Sequence, residues 1–246
     1  MAIVDVVPEY EVVLFDIDGT LVDHDGALRD AVCRWLTGGH LATQEQCDEG
    51  LVALWDDVAE RHFPAFRAGE ISFQEQRRRR LREFLPHLHV RAERMGDQEL
   101  DAIFGNYLTH YEGAWRAYDD VVPCLSALLG VRLAVLSNGD QSQQADKLRR
   151  TGLATYFEAV LTSGELGAAK PYPDAFHRAC QRLRAEPRRV LYVGDRLDVD
   201  ARAASAAGLS GVWLNRSGSD SDPGQPTIAS LRELPLLLGR AIGERS

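Results

Sequence analysis

The stretch Tyr10-Glu11-Val12-Val13-Leu14-Phe15-Asp16-Ile17-Asp18-Gly19-Thr20 decides how this chain folds. Val12 to Phe15 is a β-branched and aromatic run of the kind that forms a buried strand. Asp16 therefore falls at the carboxyl end of that strand, where open α/β sheets bind ligands. Gly19 permits the backbone turn that lets a second carboxylate, Asp18, reach the same place. Two later stretches repeat the arrangement: Val131 to Leu136 runs into Ser137, and Arg189 to Gly194 runs into Asp195. Three apolar strands that each end in a polar group predict one functional edge of a sheet.

The residue types at that edge suit a phosphate and a divalent cation. A carboxylate can attack a phosphoryl group and form an aspartyl-phosphate, which divides a very slow hydrolysis into two easier steps. Asp16 is the candidate nucleophile. Its approach to a dianionic phosphate is repelled unless cations spread the charge, and a hard cation such as Mg²⁺ does so when a few oxygens hold it. Asp16 and Asp195 supply such oxygens. Asp18 is placed to protonate the leaving oxygen and then deprotonate the attacking water, a role worth roughly 10² to 10⁴ in rate. Ser137, the amides of Asn138 and Gly139 after it, and Lys170 of Lys170-Pro171 are expected to hold the non-bridging oxygens.

Taken in order, Asp16-Ile17-Asp18-Gly19-Thr20, Ser137-Asn138, Lys170-Pro171 and Gly194-Asp195 with Asp198 and Asp200 resemble the motifs of the haloacid dehalogenase superfamily, most of whose members are phosphatases. The likeness covers about Val12 to Thr20 and Val121 to Leu214. It implies that Asp16 is nucleophile and metal ligand, and that Asp18 is general acid/base with its main-chain carbonyl on the metal. It makes Thr20 a hinge-side group beside them, Ser137 and Lys170 the phosphate grips, and Asp195 the second carboxylate on Mg²⁺. Asp200 becomes an acidic partner that orients Lys170 or a metal-bound water, and Asp198 falls at a variable position of the pattern.

Between the first strand and Tyr118 the chain reads as helical. Gly26 to Leu36, Thr43 to His62, Ser72 to Leu85 and Asp97 to Trp115 carry apolar residues at three- and four-residue spacing. Thr43 with Gln46 and Ser72 with Glu75 resemble capping boxes. After Tyr118 helix and strand alternate, as in a parallel sheet covered on both faces. The expected fold is α/β, a doubly wound, Rossmann-like parallel sheet from residues 1–21 and 116–246. Residues 22–115 form an inserted all-helical domain, which the resemblance identifies as a cap of C1 type. Asn215 to Pro226 reads as an exposed loop, and Ile228 to Ile242 as a closing helix.

No run approaches the roughly 18 apolar residues of a membrane span, and Met1 to Asp5 lacks the features of a signal peptide. A soluble, cytoplasmic protein is expected. Cys33, Cys47, Cys124 and Cys180 are widely separated and predict reduced thiols rather than a zinc site or disulfide framework. A net charge of −9 argues against a nucleic-acid surface. Of 28 basic residues only Lys147 and Lys170 are lysines, which makes Lys170 stand out. Arg77 to Arg80 reads as a solvated helix face. His24, at the entry to the helical segment, is a candidate contact for the leaving group.

A haloacid dehalogenase directs its nucleophile at carbon and needs no general acid at position 18. A phosphonoacetaldehyde hydrolase needs a cap lysine, and residues 22–115 contain none. The reading is a Mg²⁺-dependent phosphatase of small phosphorylated metabolites, with no nucleic-acid or membrane partner and with monomer or homodimer left open. A sugar phosphomutase of the same superfamily keeps every core residue and stays as the alternative, beside a non-catalytic phosphate-binding scaffold.

Overall fold

The computed structural model describes residues 10–128, 130–218 and 222–239. Six strands form one parallel sheet: β1 Val12–Phe15, β2 Arg132–Ser137, β3 Ala159–Thr162, β4 Val190–Gly194, β5 Ser210–Leu214 and β6 Thr227–Ile228. Their order across the sheet is β3-β2-β1-β4-β5-β6. The chain leaves β1 to one side and returns to its other side at β4, so the order reverses next to β1. Crevices at such reversals, outside the strands' carboxyl ends, are where doubly wound sheets bind ligands. Every residue of β1 and β4 is buried, as a sheet covered on both faces requires. On one face Val12, Leu14, Val190 and Tyr192 pack with Phe176, Ala179 and Leu183 of a covering helix.

The chain divides into two compact units, one of them Asp23–Arg116 and the other formed by the segments on either side. Within Asp23–Arg116 lie α1 His24–Gly38, α2 Glu49–Arg67, α3 Phe73–Phe84 and α4 Asp97–Gly113. Their buried seam is aromatic: Trp55 lies 4.9 Å from both Phe84 and Tyr107 between ring centroids, and 5.0 Å from Trp35. Burying rings of this size dominates the energetics of a small helical unit. The sheet unit adds α5 Val121–Ala127, α6 Gln141–Arg150, α7 Ser163–Leu166, α8 Pro173–Leu183, α9 Arg202–Ala206 and α10 Leu234–Leu237. Among the described residues no helix is long and apolar enough to cross a membrane.

Several expectations need correction. Thr43 and Gln46 do exchange reciprocal hydrogen bonds, at 2.9 and 3.3 Å, but these close an isolated turn. Helix α2 begins later, where Asp48 accepts from Leu51 N. Ser72 caps α3 as expected, while the Glu75 side chain turns forward to Arg79. Cys33 and Cys47 are joined in a disulfide, and only Cys124 and Cys180 are free and buried. Arg80 does not join a solvated face: it is 7% exposed, with its guanidinium 4.2 Å over the Trp55 ring.

The segment read as a closing helix instead pairs Thr227–Ile228 with β5, then makes a short turn at Leu231–Glu233 before α10. What was expected beyond Gly239, like the reading of Met1 to Asp5, lies outside the described residues. The preceding loop is not wholly exposed either. Asn215 and Gln225 are buried, and Gln225 donates to Gly211 O.

Candidate functional site

Asp16 follows β1 directly, and its main-chain N–H still donates to Val193 O of β4 at 2.9 Å, so the sheet ladder itself fixes the residue. The chain then turns back on itself, with Gly19 N donating to Val22 O and Leu21 N to Ile17 O. Gly19 has φ of +80°, a left-handed conformation that glycine adopts without penalty. A Cβ there would also collide with the Asp195 carboxylate. Glycine is thus needed twice over, for the turn and for the close approach of the second strand end. Gly194 plays a similar part, because a Cβ on it would strike the Asp200 side chain.

Around Asp16 the structure gathers a buried ionic network. Lys170 Nζ donates to Asp16 Oδ1 at 2.5 Å, to Asp200 Oδ1 at 2.7 Å and to Tyr192 Oη at 2.7 Å. Tyr192 Oη in turn donates to Asp200 Oδ1, and Arg196 N donates to Asp200 Oδ2. A wide helical turn at Leu197–Ala201 delivers Asp200 into this position. Asp198, on the same turn, points outward and pairs with Arg202. Asn138 spends its side chain on Lys170: Oδ1 accepts from Lys170 N, and Nδ2 donates to Lys170 O. The Lys170–Pro171 peptide is cis.

Asp16, Asp195 and Asp200 each offer a carboxylate oxygen, and these oxygens lie within 4.8 Å of one another. Burial pushes the Asp16 carboxyl well up; the Lys170 charge opposes this, and the charges of Asp200 and Asp195 add to it. Burial and then the Asp200 charge push Asp195 up to about 7. Burial alone would lower the Lys170 ammonium, but the charges of Asp16 and Asp200 outweigh it and keep the group protonated. With all three carboxylates ionised, one ammonium leaves two negative charges without compensation, and the upward shifts of Asp16 and Asp195 reflect that strain. An all-oxygen, doubly negative donor set of this kind fits a hard divalent cation.

Ser137, at the end of β2, accepts at Oγ from Gly139 N and from Gln144 Nε2, at 3.1 and 3.0 Å. As an acceptor in both bonds it keeps its own O–H to donate. Thr20 Oγ1 donates to Asp195 Oδ1 at 3.3 Å and so braces the second carboxylate. His24 opens α1 in the helical unit, with Nδ1 2.8 Å from Tyr111 Oη. Of the expected site residues, then, Asp16, Asp18, Thr20, Ser137, Asn138, Gly139, Lys170, Asp195 and Asp200 share the sheet unit's edge. His24 belongs to the helical unit.

Three participants were missed. Gln144 and Lys147 of α6 both reach Asp18. Arg216, after β5, donates to Gly19 O and Thr20 O, forms a two-pronged pair with Asp120, and lies 3.8 Å over the Tyr118 ring. The rarity of lysine was the one available signal for Lys147.

A family model described as haloacid dehalogenase-like hydrolase matches residues 10–208. Glyceraldehyde 3-phosphate phosphatase of Methanopyrus kandleri is 40% identical over 103 residues, 41% of this chain and 44% of that protein. The chain spans about half the length of the curated relatives it matches. Among solved structures, the magnesium-bound HAD-hydrolase YfnB of Bacillus subtilis aligns with a TM-score of 0.75 at 23% identity, over 94% of this chain and 99% of that one. The 2-haloacid dehalogenase of Pseudomonas syringae aligns with a TM-score of 0.68 at 27% identity, over 94% and 98%.

Proposed function

We propose that this chain, which belongs to the haloacid dehalogenase-like hydrolases, hydrolyses phosphoric monoesters of small metabolites with Mg²⁺ as cofactor. The observation that carries the reading is the pair of carboxylates at the end of β1, Asp16 and Asp18, each met by one of the chain's two lysines. Kinship with a glyceraldehyde 3-phosphate phosphatase supports it.

In the first step Asp16 attacks phosphorus with the oxygen turned away from Lys170. The new bond joins aspartate oxygen to phosphorus, the ester bond breaks, and Asp18 delivers a proton to the leaving oxygen. In the second step water attacks the same phosphorus, Asp18 removes its proton, and Asp16 leaves as a carboxylate with inorganic phosphate as product. The Ser137 hydroxyl holds a phosphoryl oxygen, and the Lys170 ammonium holds another with the N–H that it gives to Asp16 in the free chain. Asp200 and Tyr192 fix Lys170 in place, as Thr20 fixes Asp195. Asp16, Asp195 and the Asp18 carbonyl would hold a divalent cation, which would supply neutralisation of the phosphoryl charge.

Structural likeness to haloacid dehalogenases raises attack on carbon as a rival. Such a reaction expels a halide that needs no proton, whereas an alkoxide leaving group does, and Asp18 answers that need. With p-nitrophenyl phosphate and Mg²⁺, Asp16→Asn is expected to abolish turnover. Asp18→Asn is expected to lower it by at least roughly 10² while phosphate binding persists. Near-normal kcat in either variant overturns the assignment, and a panel of phosphorylated metabolites then identifies the substrate.

A further inference from the structure

Lys147 is the second of two lysines in an arginine-rich chain, and it is as buried as the first, at 1% exposure. Its ammonium pairs with Asp18 Oδ1. Gln144 stands one helical turn earlier on the same face of α6, and its Nε2 donates to Asp18 Oδ2 at 2.9 Å. Both oxygens of the carboxylate are therefore gripped from one rigid element. That element starts immediately beyond Ser137, with Asp140 as its cap, accepting from Gln143 N.

The Gln144 amide has two N–H groups. One goes to Asp18, and the other to Ser137 Oγ at 3.0 Å. Because an ionised carboxylate can only accept, the nitrogen must face Asp18. The cost is visible at the other end of the amide, where Oε1 is buried with no hydrogen-bond partner. An amide held against its own carbonyl's interest is oriented by what its nitrogen serves. Here it serves two groups on opposite sides of one reaction: Ser137, which holds the phosphate, and Asp18, which moves the proton. An arginine would be a poor replacement at Lys147, because the confined position takes a compact ammonium rather than a planar fork.

We infer that Lys147 and Gln144 are positioning residues that hold the Asp18 carboxylate at a fixed distance from Ser137, aimed at the water that attacks the phosphoryl-enzyme. The inference rests on the proposed role of Asp18. It goes further in assigning two helix residues to the second half of the reaction. Removing either grip leaves Asp16, Lys170 and the cation-holding carboxylates intact, so substrate binding and formation of the phosphoryl-enzyme should be affected least.

The test uses the full chain with p-nitrophenyl phosphate and Mg²⁺, comparing Lys147→Met, Gln144→Met, Asp18→Asn and the double variant Asp18→Asn/Lys147→Met. Each single α6 variant is expected to lose about tenfold to a hundredfold in kcat, short of the full loss of a general acid/base, with KM unchanged or lower. The rate of the initial nitrophenolate burst should fall less than kcat does. The double variant should be no more than about twofold slower than Asp18→Asn alone, because a residue that acts only through Asp18 has nothing left to position. A purely structural role would instead multiply the two losses, and that result overturns the inference. So does kcat within twofold of the parent in both α6 variants, or a raised KM with kcat kept. Should Lys147→Met fail to fold, Gln144→Met decides on the same criteria. Full activity in Asp18→Asn would count against the role of Asp18 itself, a distinct outcome.

Discussion

The Lys170 ammonium donates to Asp16 Oδ1 at 2.5 Å, with the lysine side chain 3% exposed and the aspartate 10%. A charge so placed compensates the carboxylates around it, and in the proposed reaction it also meets a phosphoryl oxygen. Lys170→Met is expected to reduce kcat/KM for an aryl phosphate by at least roughly 10². It should also destabilise the fold by about 3 kcal/mol, because Asp16 and Asp200 are left buried without their partner. Urea unfolding alongside steady-state kinetics measures both. Unchanged stability would mean that the network matters less to the fold than its burial implies.

The uncompensated charge of the carboxylate cluster predicts that Mg²⁺ stabilises the folded chain as well as supporting turnover. At a hundredfold excess over its dissociation constant the gain is about 2.7 kcal/mol, readable as a rise in the unfolding temperature of chelator-treated protein. Asp195→Asn should remove most of that rise. A metal response equal in the variant and the parent would show that the ion binds elsewhere.

Asp120 ties the loop after β5 to the start of α5 and to the C-terminal segment. Burial would raise its pKa, but hydrogen bonds from Arg216, Ser230 and Leu231 N prevail and hold it below the usual carboxylate range. A group with a depressed folded pKa contributes stability that is complete above its unfolded value of about 3.9, and the contribution is lost as pH falls through the folded value. Asp120→Asn should therefore cost about 2 kcal/mol at pH 7, and the difference from the parent should shrink toward the acid end. A constant difference across pH would show that the charge on Asp120 is not what stabilises the segment.

Alkylation of the unfolded chain without reductant is expected to label Cys124 and Cys180 only, and all four cysteines after reduction. Peptide mass spectrometry should recover Cys33 and Cys47 linked. Labelling of all four in the unreduced sample would restore the reading of free thiols.

Much of the sheet and its edge was legible because β1, β2 and β4 are apolar runs that stop abruptly at Asp16, Ser137 and Asp195. A strand ending in a polar residue marks both the element and the place where ligands bind. The edge strand β6 escaped notice because two residues carry no periodicity, and only pairing with Trp213 and Leu214 makes Thr227–Ile228 a strand. Lys147 escaped for a different reason. Its partner Asp18 lies 129 residues away and is met only through the fold. Arg80 misled in the same way: four consecutive arginines look like one solvated surface, yet a helix turns 100° per residue and carries the fourth into the aromatic seam. The disulfide has no motif to announce it, since Cys33 and Cys47 lie 14 positions apart in the sequence and only the packing of the helical unit brings them together.

Hydrolysis through a phosphorylated Asp16 is defined by which atom water attacks. In an aspartyl-phosphate the water oxygen goes to phosphorus, whereas in an ester formed by attack on carbon it goes to the aspartate carbonyl. Turnover of p-nitrophenyl phosphate in ¹⁸O-water, followed by mass analysis of the phosphate and of the peptide containing Asp16, separates the two directly. The expected result is one ¹⁸O in each phosphate released and none in Asp16. Label in the Asp16 peptide, or phosphate released without label, would contradict hydrolysis through a phosphorylated Asp16.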